Sequence, residues 1–245
     1  MNGTQGQPEP PLELRFAAEL RMFLPPANRV GTVRVATDGT FSLGHVVESA
    51  GVPLTEVGFL LVNDRPVQPS YQPRPGDRII VQAISRPQPQ AEPRFLLDVH
   101  LGALARRMRL LGLDSAYSND LDDDALIELA NQGRRVLLTK DRGLLRRRKL
   151  WLGAYVRGAR ADDQLADVLD RFAPPLAPWT RCLACNGPLL PVPKSQVEEH
   201  LRAGTRRTYD RFCRCAECGR VFWRGAHSRR LSAIVAAATQ AGRPD

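Results

Sequence analysis

Several features that this 245-residue chain lacks narrow its class. It contains no apolar run close to the roughly 18 residues that a transmembrane helix needs, so we expect no membrane span. Its first residues, MNGTQGQPEPP, have neither the basic start nor the apolar core of a signal peptide. Cysteine is scarce, with five in the whole chain. We therefore predict a cytoplasmic protein whose cysteines are reduced and bind metal rather than form disulfides.

Lysine is also scarce, with 3 lysines against 32 arginines, and the net charge is +9. Residues 1–93 hold 8 basic and 9 acidic residues, residues 94–180 hold 15 and 12, and residues 181–245 hold 12 and 5. The positive charge thus rises toward the C-terminus. A basic region of this kind favours a polyanionic partner such as RNA, with general solubility or genome composition as the alternative explanation.

Proline-rich stretches divide the chain into three segments. Residues 86–93, RPQPQAEP, have the composition of an extended linker, and a second break falls at APPLAP, residues 173–178. The hydrophobic content of 43% is enough for two or three small cores. We predict domains at residues 11–85, 94–173 and 180–230.

The first segment alternates short apolar strands around a single helix that begins after Ser42. Its predicted order is ββαββ, and the phrase VGFLLVNDRPV…YQPRPGDRIIV resembles the ubiquitin-like β-grasp of the ThiS and MoaD sulfur carriers. Those carriers act through a C-terminal Gly-Gly, whereas here the last strand runs on into Gln82–Arg86. We therefore predict a docking module for a protein partner rather than a sulfur carrier.

The middle segment alternates short strands and amphipathic helices in the order βαβαββα, which predicts an α/β domain with a parallel sheet. In the helix at residues 101–111 the apolar residues share one face, and Arg106, Arg107 and Arg109 lie mostly off it. Asp98 and Asp141 each follow an apolar run, and a cluster at residues 120–124 lies between them.

Carboxylates that follow parallel strands converge at one edge of the sheet, where ligands bind. Such carboxylates repel one another unless a divalent cation holds them together, so the set predicts a Mg²⁺ or Mn²⁺ site that activates water. Taken singly, Asp122 and Asp162 are also ordinary helix N-caps, and Asp123 and Asp124 suit the first turn of a helix.

Residues 94–172 resemble the Mut-seven C-terminal RNase family, a branch of the PIN-like nucleases. The resemblance rests on the opening Asp, on LGALARRMRLLG, on DSAYSND, on an Asp with LxxLA after it, and on LLTKDRGLL. It implies a PIN-like nuclease fold with Asp98, Asp123 and Asp141 as the catalytic metal carboxylates. The further acidic candidates and the arginines that we expect to bind phosphate are Asp122, Asp162, Asp163, Arg142, Arg146 and Arg147.

Two CxxC pairs, Cys182–Cys185 and Cys215–Cys218, predict a zinc ribbon. Four protein thiolates close the coordination shell of Zn²⁺, so the predicted role of this zinc is structural. Cys213 and His227 are possible substitute ligands that we expect to lie outside the shell. The same family carries such a ribbon, which ends as here in a WxGxH phrase.

Together these features predict a metal-dependent ribonuclease that cleaves single-stranded or structured RNA, tRNA included, with a zinc ribbon that aids RNA binding. Two alternatives come from other classes. One is a nucleic-acid-binding protein without catalysis, and the other is an adaptor that docks a partner through the β-grasp domain. The acidic edge favours the enzyme, because binding alone gains nothing from negative charge beside a phosphate backbone.

Overall fold

The structure is a computed structural model, which describes residues 10–29, 31–88, 90, 93–225 and 228–241. It divides into two compact units. One contains residues up to Ser85 together with Asp141–Arg148, and the other contains Arg86–Lys140 and the chain from Lys149 onward. The ribbon thus belongs to the same compact unit as the α/β domain, and the domain boundaries at residues 11–85, 94–173 and 180–230 stay a prediction.

The N-terminal unit is a five-stranded β-grasp sheet around one helix. Its elements are β1 (Leu12–Phe16), β2 (Thr32–Val35), α1 (Leu43–Ser49), β3 (Val57–Val62), β4 (Arg65–Val67) and β5 (Arg78–Ala83). The strand order is β2-β1-β5-β3-β4, with β1 and β5 parallel and the other pairs antiparallel. Ser42 caps α1 as predicted, since its side chain accepts a hydrogen bond from the His45 N–H. Strand β4 was missed.

Segment Asp141–Arg148 is part of this N-terminal unit. Its short helix α4 (Arg142–Leu145) buries Leu144 and Leu145. The Arg142 guanidinium donates to the carbonyl oxygens of Phe23, at 2.9 Å, and Met22, at 3.0 Å, and it lies over the Phe23 ring. A charged donor shared between two backbone carbonyls holds the segment against this part of the β-grasp fold.

The second unit is built on a four-stranded sheet in which every pairing is parallel. In chain order its elements are β6 (Phe95–Leu97), α2 (Gly102–Leu110), β7 (Ser115–Tyr117), α3 (Asp123–Gln132), β8 (Val136–Thr139), β9 (Gly153–Tyr155) and α5 (Ala161–Phe172). The strand order is β7-β6-β8-β9. The predicted α/β class and parallel sheet are confirmed, and the elements follow the predicted order except that α4 falls between β8 and β9.

The two central strands, β6 and β8, are fully buried, as is typical of apolar strands in a parallel sheet. The helix face predicted from Leu101, Leu104, Met108 and Leu111 packs into the core with α5. Arg109, predicted to lie mostly off this apolar face, is nevertheless buried, which the sequence did not indicate. This arginine is only 3% exposed, because α2 is covered on a second side by the zinc-ribbon segment.

Gly112 ends α2 with a positive φ of 81°. A Cβ at this position would lie 1.9 Å from the Ala177 carbonyl oxygen, so no other residue fits without moving the backbone. The Ala177 N–H donates to the Leu111 carbonyl at 2.9 Å. The end of α2 therefore packs directly against Ala177, in the segment that leads into the ribbon.

The ribbon is a three-stranded antiparallel sheet of β10 (Leu189–Val192), β11 (Phe212–Cys215) and β12 (Val221–Trp223), in that order. Helix α6 (Ala203–Thr208) lies between β10 and β11. The last described element is α7 (Ser228–Ala241), which adds Ile234, Val235 and Ala238 to the core of the α/β domain. None of the described helices has the length and apolarity to cross a membrane.

Candidate metal centres

Asp98 stands at the carboxyl end of β6 and is 7% exposed. Its N–H donates to the Leu138 carbonyl at 3.0 Å, which continues the pairing with β8 by one residue. The hydroxyl of the fully buried Thr139 donates to Asp98 Oδ2 at 2.5 Å. The carboxylate is thus held in one orientation at the edge where the sheet binds ligands in α/β folds.

The other two catalytic candidates are exposed. Asp141 follows Thr139 by two residues and caps α4, where its Oδ1 accepts from the Gly143 N–H at 2.6 Å and the Leu144 N–H at 3.3 Å. Asp123 is the first residue of α3, and its side chain is exposed.

The remaining acidic candidates have partners of their own. Asp122 caps α3 by accepting from the Ala125 N–H at 2.8 Å. Asp162 forms a salt bridge with Arg107 at 2.5 Å. Asp163 caps α5 and pairs with Arg160, and that hydrogen bond with the guanidinium lowers the pKa of Asp163.

Of the arginines that we expect to bind phosphate, Arg142 is committed to the carbonyls of Met22 and Phe23. Arg147 is exposed, and Arg146 is half-buried with its Nε shielded from solvent and unpaired among the described residues.

The carboxylates have the hard oxygen donors that Mg²⁺ and Mn²⁺ prefer. Within the described ranges, no three of them bring their oxygens within 4.8 Å of one another. Asp98 alone combines burial with a fixed orientation. The donor chemistry therefore fits a hard cation, and the assignment of Asp98, Asp123 and Asp141 as its ligands stays a prediction.

The four predicted zinc ligands come together. The sulfur atoms of Cys182, Cys185, Cys215 and Cys218 all lie within 4.8 Å of one another. Cys182 Sγ is 3.7 Å from Cys218 Sγ, and Cys185 Sγ is 3.4 Å from Cys215 Sγ. A zinc ion with Zn–S bonds of about 2.3 Å needs sulfur separations of about 3.8 Å. The cluster fits one tetrahedral Zn²⁺ and brings the predicted cysteine set together, and the assignment of these cysteines as zinc ligands stays a prediction.

The surroundings of the cluster also favour the ionised form of one thiol, that of Cys215. Burial opposes ionisation of Cys215, but the N–H groups of Cys218 and Glu217 outweigh it and lower the pKa of Cys215 to about 7. Its neighbour Cys185 has its pKa raised to about 12, chiefly by burial. One thiol of this pair thus keeps its proton until a metal replaces it. Cys213 is outside the group, and His227 lies outside the described residues.

Family models match two parts of the chain. The model described as the Mut7-C RNAse domain matches residues 93–235, more than half of the chain. The chain belongs to the Mut7-C family. The model described as Mut7-C ubiquitin matches residues 10–89, which contain the β-grasp sheet. Comparisons with curated proteins and with solved structures found no match. Membership suggests a nuclease, and the predicted resemblance and domain types are confirmed.

In this Mut7-C chain the first zinc knuckle is fastened to the α/β domain by Arg109. Its guanidinium donates to the carbonyls of Ala184, at 2.8 Å, and Leu183, at 3.2 Å, which lie between the two cysteines of that knuckle. It also donates to the Ser115 carbonyl in β7 at 2.9 Å. A buried cation beside four thiolates offsets part of their charge.

A second link runs through Asp114 and Asn186. Asn186 Oδ1 accepts from the Ser115 N–H at 2.9 Å, and its Nδ2 donates to Asp114 at 2.7 Å. Asp114 also pairs with Arg135, at 2.7 Å, and Arg181, at 3.5 Å. Sequence reasoning missed this network, because its members are ordinary polar residues far apart in the chain.

Proposed function

We propose that this protein is a metal-dependent ribonuclease that hydrolyses RNA phosphodiester bonds at the carboxyl edge of the parallel sheet. One observation carries the proposal. In a chain of the Mut7-C RNase family, Asp98 is a buried carboxylate at that edge, held by the buried Thr139 hydroxyl. Burying a carboxylate is unfavourable unless it is paired or binds a metal, and one hydroxyl donor leaves acceptor capacity on Asp98.

In the proposed mechanism Asp98, Asp123 and Asp141 hold Mg²⁺ or Mn²⁺. When bound, such a cation stabilises charge on a phosphate oxygen and lowers the pKa of an attacking water. Thr139 fixes Asp98 Oδ2, so Asp98 needs little reorganisation when the site fills. Asp122 keeps α3 capped and so supports the position of Asp123, the next residue.

Two arginines of segment 141–148, Arg146 and Arg147, are proposed to bind the substrate. Arg147 is exposed near the end of this segment, six residues after Asp141, and Arg146 precedes it. Their guanidinium groups suit the phosphates beside the scissile bond. Arg142 is better assigned to holding the segment through Met22 and Phe23. The zinc ribbon, with its arginines, is proposed to extend the RNA-binding surface, and the β-grasp domain to bind a protein partner.

The test compares cleavage of a labelled, partly structured RNA by the zinc-loaded wild-type protein and by Asp98→Asn and Asp141→Asn. Cleavage is measured in Mg²⁺, in Mn²⁺ and without either cation, beside a DNA strand of the same sequence. Wild type is expected to cut RNA when a cation is present, and both variants to bind RNA without cutting.

Glu199→Gln is the control, because it removes one exposed carboxylate from the ribbon segment and should cut like wild type. If the wild type binds RNA but does not cut it under any condition, the protein is a non-catalytic RNA-binding protein. If it neither binds nor cuts RNA, the adaptor function is favoured.

A further inference from the structure

A depression of about 330 Å³ lies between α2 and the zinc ribbon. The residues that line it come from α2, from the first knuckle and from β12 with the residue before it: Arg106, Leu183, Ala184, Arg220, Val221 and Phe222. Every wall belongs to the compact unit that contains the α/β domain and the ribbon. Its volume is at the small end of the range for ligand sites, which suits one nucleotide rather than a duplex.

The two arginines of this depression are exposed. Within the described ranges neither Arg106 nor Arg220 forms a side-chain hydrogen bond or a salt bridge, whereas their neighbours Arg107 and Arg181 are paired with aspartates. None of the described residues that line the depression carries a carboxylate. Two guanidinium groups left open at the rim of a small concave site are complementary to phosphate.

The zinc cluster below does not cancel this charge. Four thiolates and one Zn²⁺ carry a formal charge of −2, and the buried Arg109 beside the knuckle carries +1. The exposed Arg106 and Arg220 add two positive charges, which brings the formal charge of these groups together to +1. Arg109 Nε and Nη1 donate to three backbone carbonyls, so we assign Arg109 an electrostatic contribution to the depression rather than a contact with the ligand.

The rest of the wall is apolar and includes one aromatic ring. Phe222 is half-buried in β12, where it pairs with Cys213 of the neighbouring strand. Val221, Leu183 and Ala184 complete this side. A ring that is partly open to solvent next to two guanidinium groups is the combination with which proteins bind unpaired nucleotides, by stacking the base and pairing the phosphates.

We infer that this depression binds one nucleotide of a single-stranded RNA, with the base against Phe222 and the flanking phosphates on Arg106 and Arg220. The inference deepens the proposed function and rests on it, since it takes RNA as the substrate. It assigns the ribbon a defined binding subsite in addition to its structural zinc. An acidic peptide would meet the same arginines but would leave Phe222 without a stacking partner.

The test is equilibrium binding of a labelled single-stranded oligoribonucleotide to the full, zinc-loaded chain, without Mg²⁺ or Mn²⁺, over a series of salt concentrations. Arg106→Gln and Arg220→Gln are each expected to weaken binding and to reduce the slope of log K against log[salt] by about 0.7. Phe222→Leu is expected to weaken binding about tenfold with an unchanged slope, because a leucine fills the space but does not stack.

Arg65→Gln is the matched control, since Arg65 is an exposed arginine of β4 in the other compact unit. Zinc content and thermal unfolding are measured for each variant, so that loss of the ribbon is not mistaken for loss of the subsite. Wild-type affinity and slope in the three test variants would overturn the inference. Displacement of the RNA by a polyglutamate peptide equally from wild type and Phe222→Leu would overturn it in favour of an acidic peptide.

This experiment separates the inference from the proposed function, because no step of it requires cleavage. If Arg106→Gln and Arg220→Gln bind and cut RNA like the wild type, the subsite fails and the ribonuclease stands. If they lose affinity but the wild type never cuts, the subsite stands and the ribonuclease fails.

Discussion

Arg109 Nη1 lies 2.8 Å from the carbonyl oxygen of Ala184, so a helix of the α/β domain holds the turn between two zinc-binding cysteines. The same guanidinium reaches Leu183 and Ser115. A buried cation with three carbonyl partners is difficult to replace, because removing it leaves those acceptors unpaired beside four thiolates.

Arg109→Gln is therefore expected to lower the free energy of unfolding by about 3 kcal/mol and to speed the loss of zinc to a chelator. Urea unfolding and the rate of zinc release measure the two effects. Arg106→Gln, on the exposed side of the same helix, should leave both unchanged. Equal zinc release from the two variants would contradict the role assigned to Arg109.

Removal of zinc, by chelation or by Cys185→Ser, should unfold the ribbon and leave the helices of residues 94–172 in place, because their core does not include the cysteines. The link through Arg109 and Asn186 adds a local effect. Hydrogen exchange should speed up in β7 and at the end of α2, and not in α3. Unfolding that keeps a single cooperative transition at the original midpoint without zinc would count against this account.

Asp114 makes the same junction sensitive to acid. Burial alone would raise its pKa, but the hydrogen bonds from Arg135 and Asn186 and the nearby guanidinium charges outweigh burial and lower the pKa. A carboxylate with a lowered folded-state pKa contributes stability above its unfolded value of about 3.9, and this contribution is lost as the pH falls through the folded value.

Asp114→Asn should accordingly be less stable than wild type at neutral pH, and the gap should close as the pH falls below about 4. Thermal unfolding of both proteins between neutral pH and the acid limit measures the gap. A gap that stays constant over this range would show that the charge of Asp114 is not what stabilises the junction.

Arg142 should stabilise its segment rather than bind substrate. Arg142→Met removes the hydrogen bonds to the Met22 and Phe23 carbonyls, and we expect a loss of about 2 kcal/mol together with faster hydrogen exchange in residues 141–148. Arg148→Met, an exposed change in the same segment, is the control. If hydrogen exchange in residues 141–148 is unchanged in Arg142→Met, the predicted role of Arg142 in phosphate binding is favoured instead.

The parts of the fold that could be predicted are those in which one local pattern decides the outcome. The apolar runs that became β6 and β8 are too short for helices and are bounded by carboxylates, which predicts buried parallel strands with Asp98 at their edge. The paired CxxC knuckles are equally local, since each chelates within one turn.

The parts that could not be predicted depend on contacts between distant residues. Helical periodicity places Arg109 off the apolar face of α2, and nothing in its neighbourhood shows that the ribbon covers that side. The partners of Arg142 lie about 120 residues earlier in the chain. The edge strand β4 is only three residues long and contains Pro66. A proline in so short a run argues against a strand when the pairing partner is unknown.

The central claim is that Asp98 helps to hold a catalytic divalent cation, and it is tested most directly by Mn²⁺ binding, which needs no knowledge of the substrate. Mn²⁺ is titrated into the zinc-loaded full chain and the free ion is followed by electron paramagnetic resonance, for wild type, Asp98→Asn and the Glu199→Gln control. We predict that Asp98→Asn binds Mn²⁺ at least about tenfold more weakly than the other two. Equal affinity and stoichiometry in all three proteins would contradict the claim.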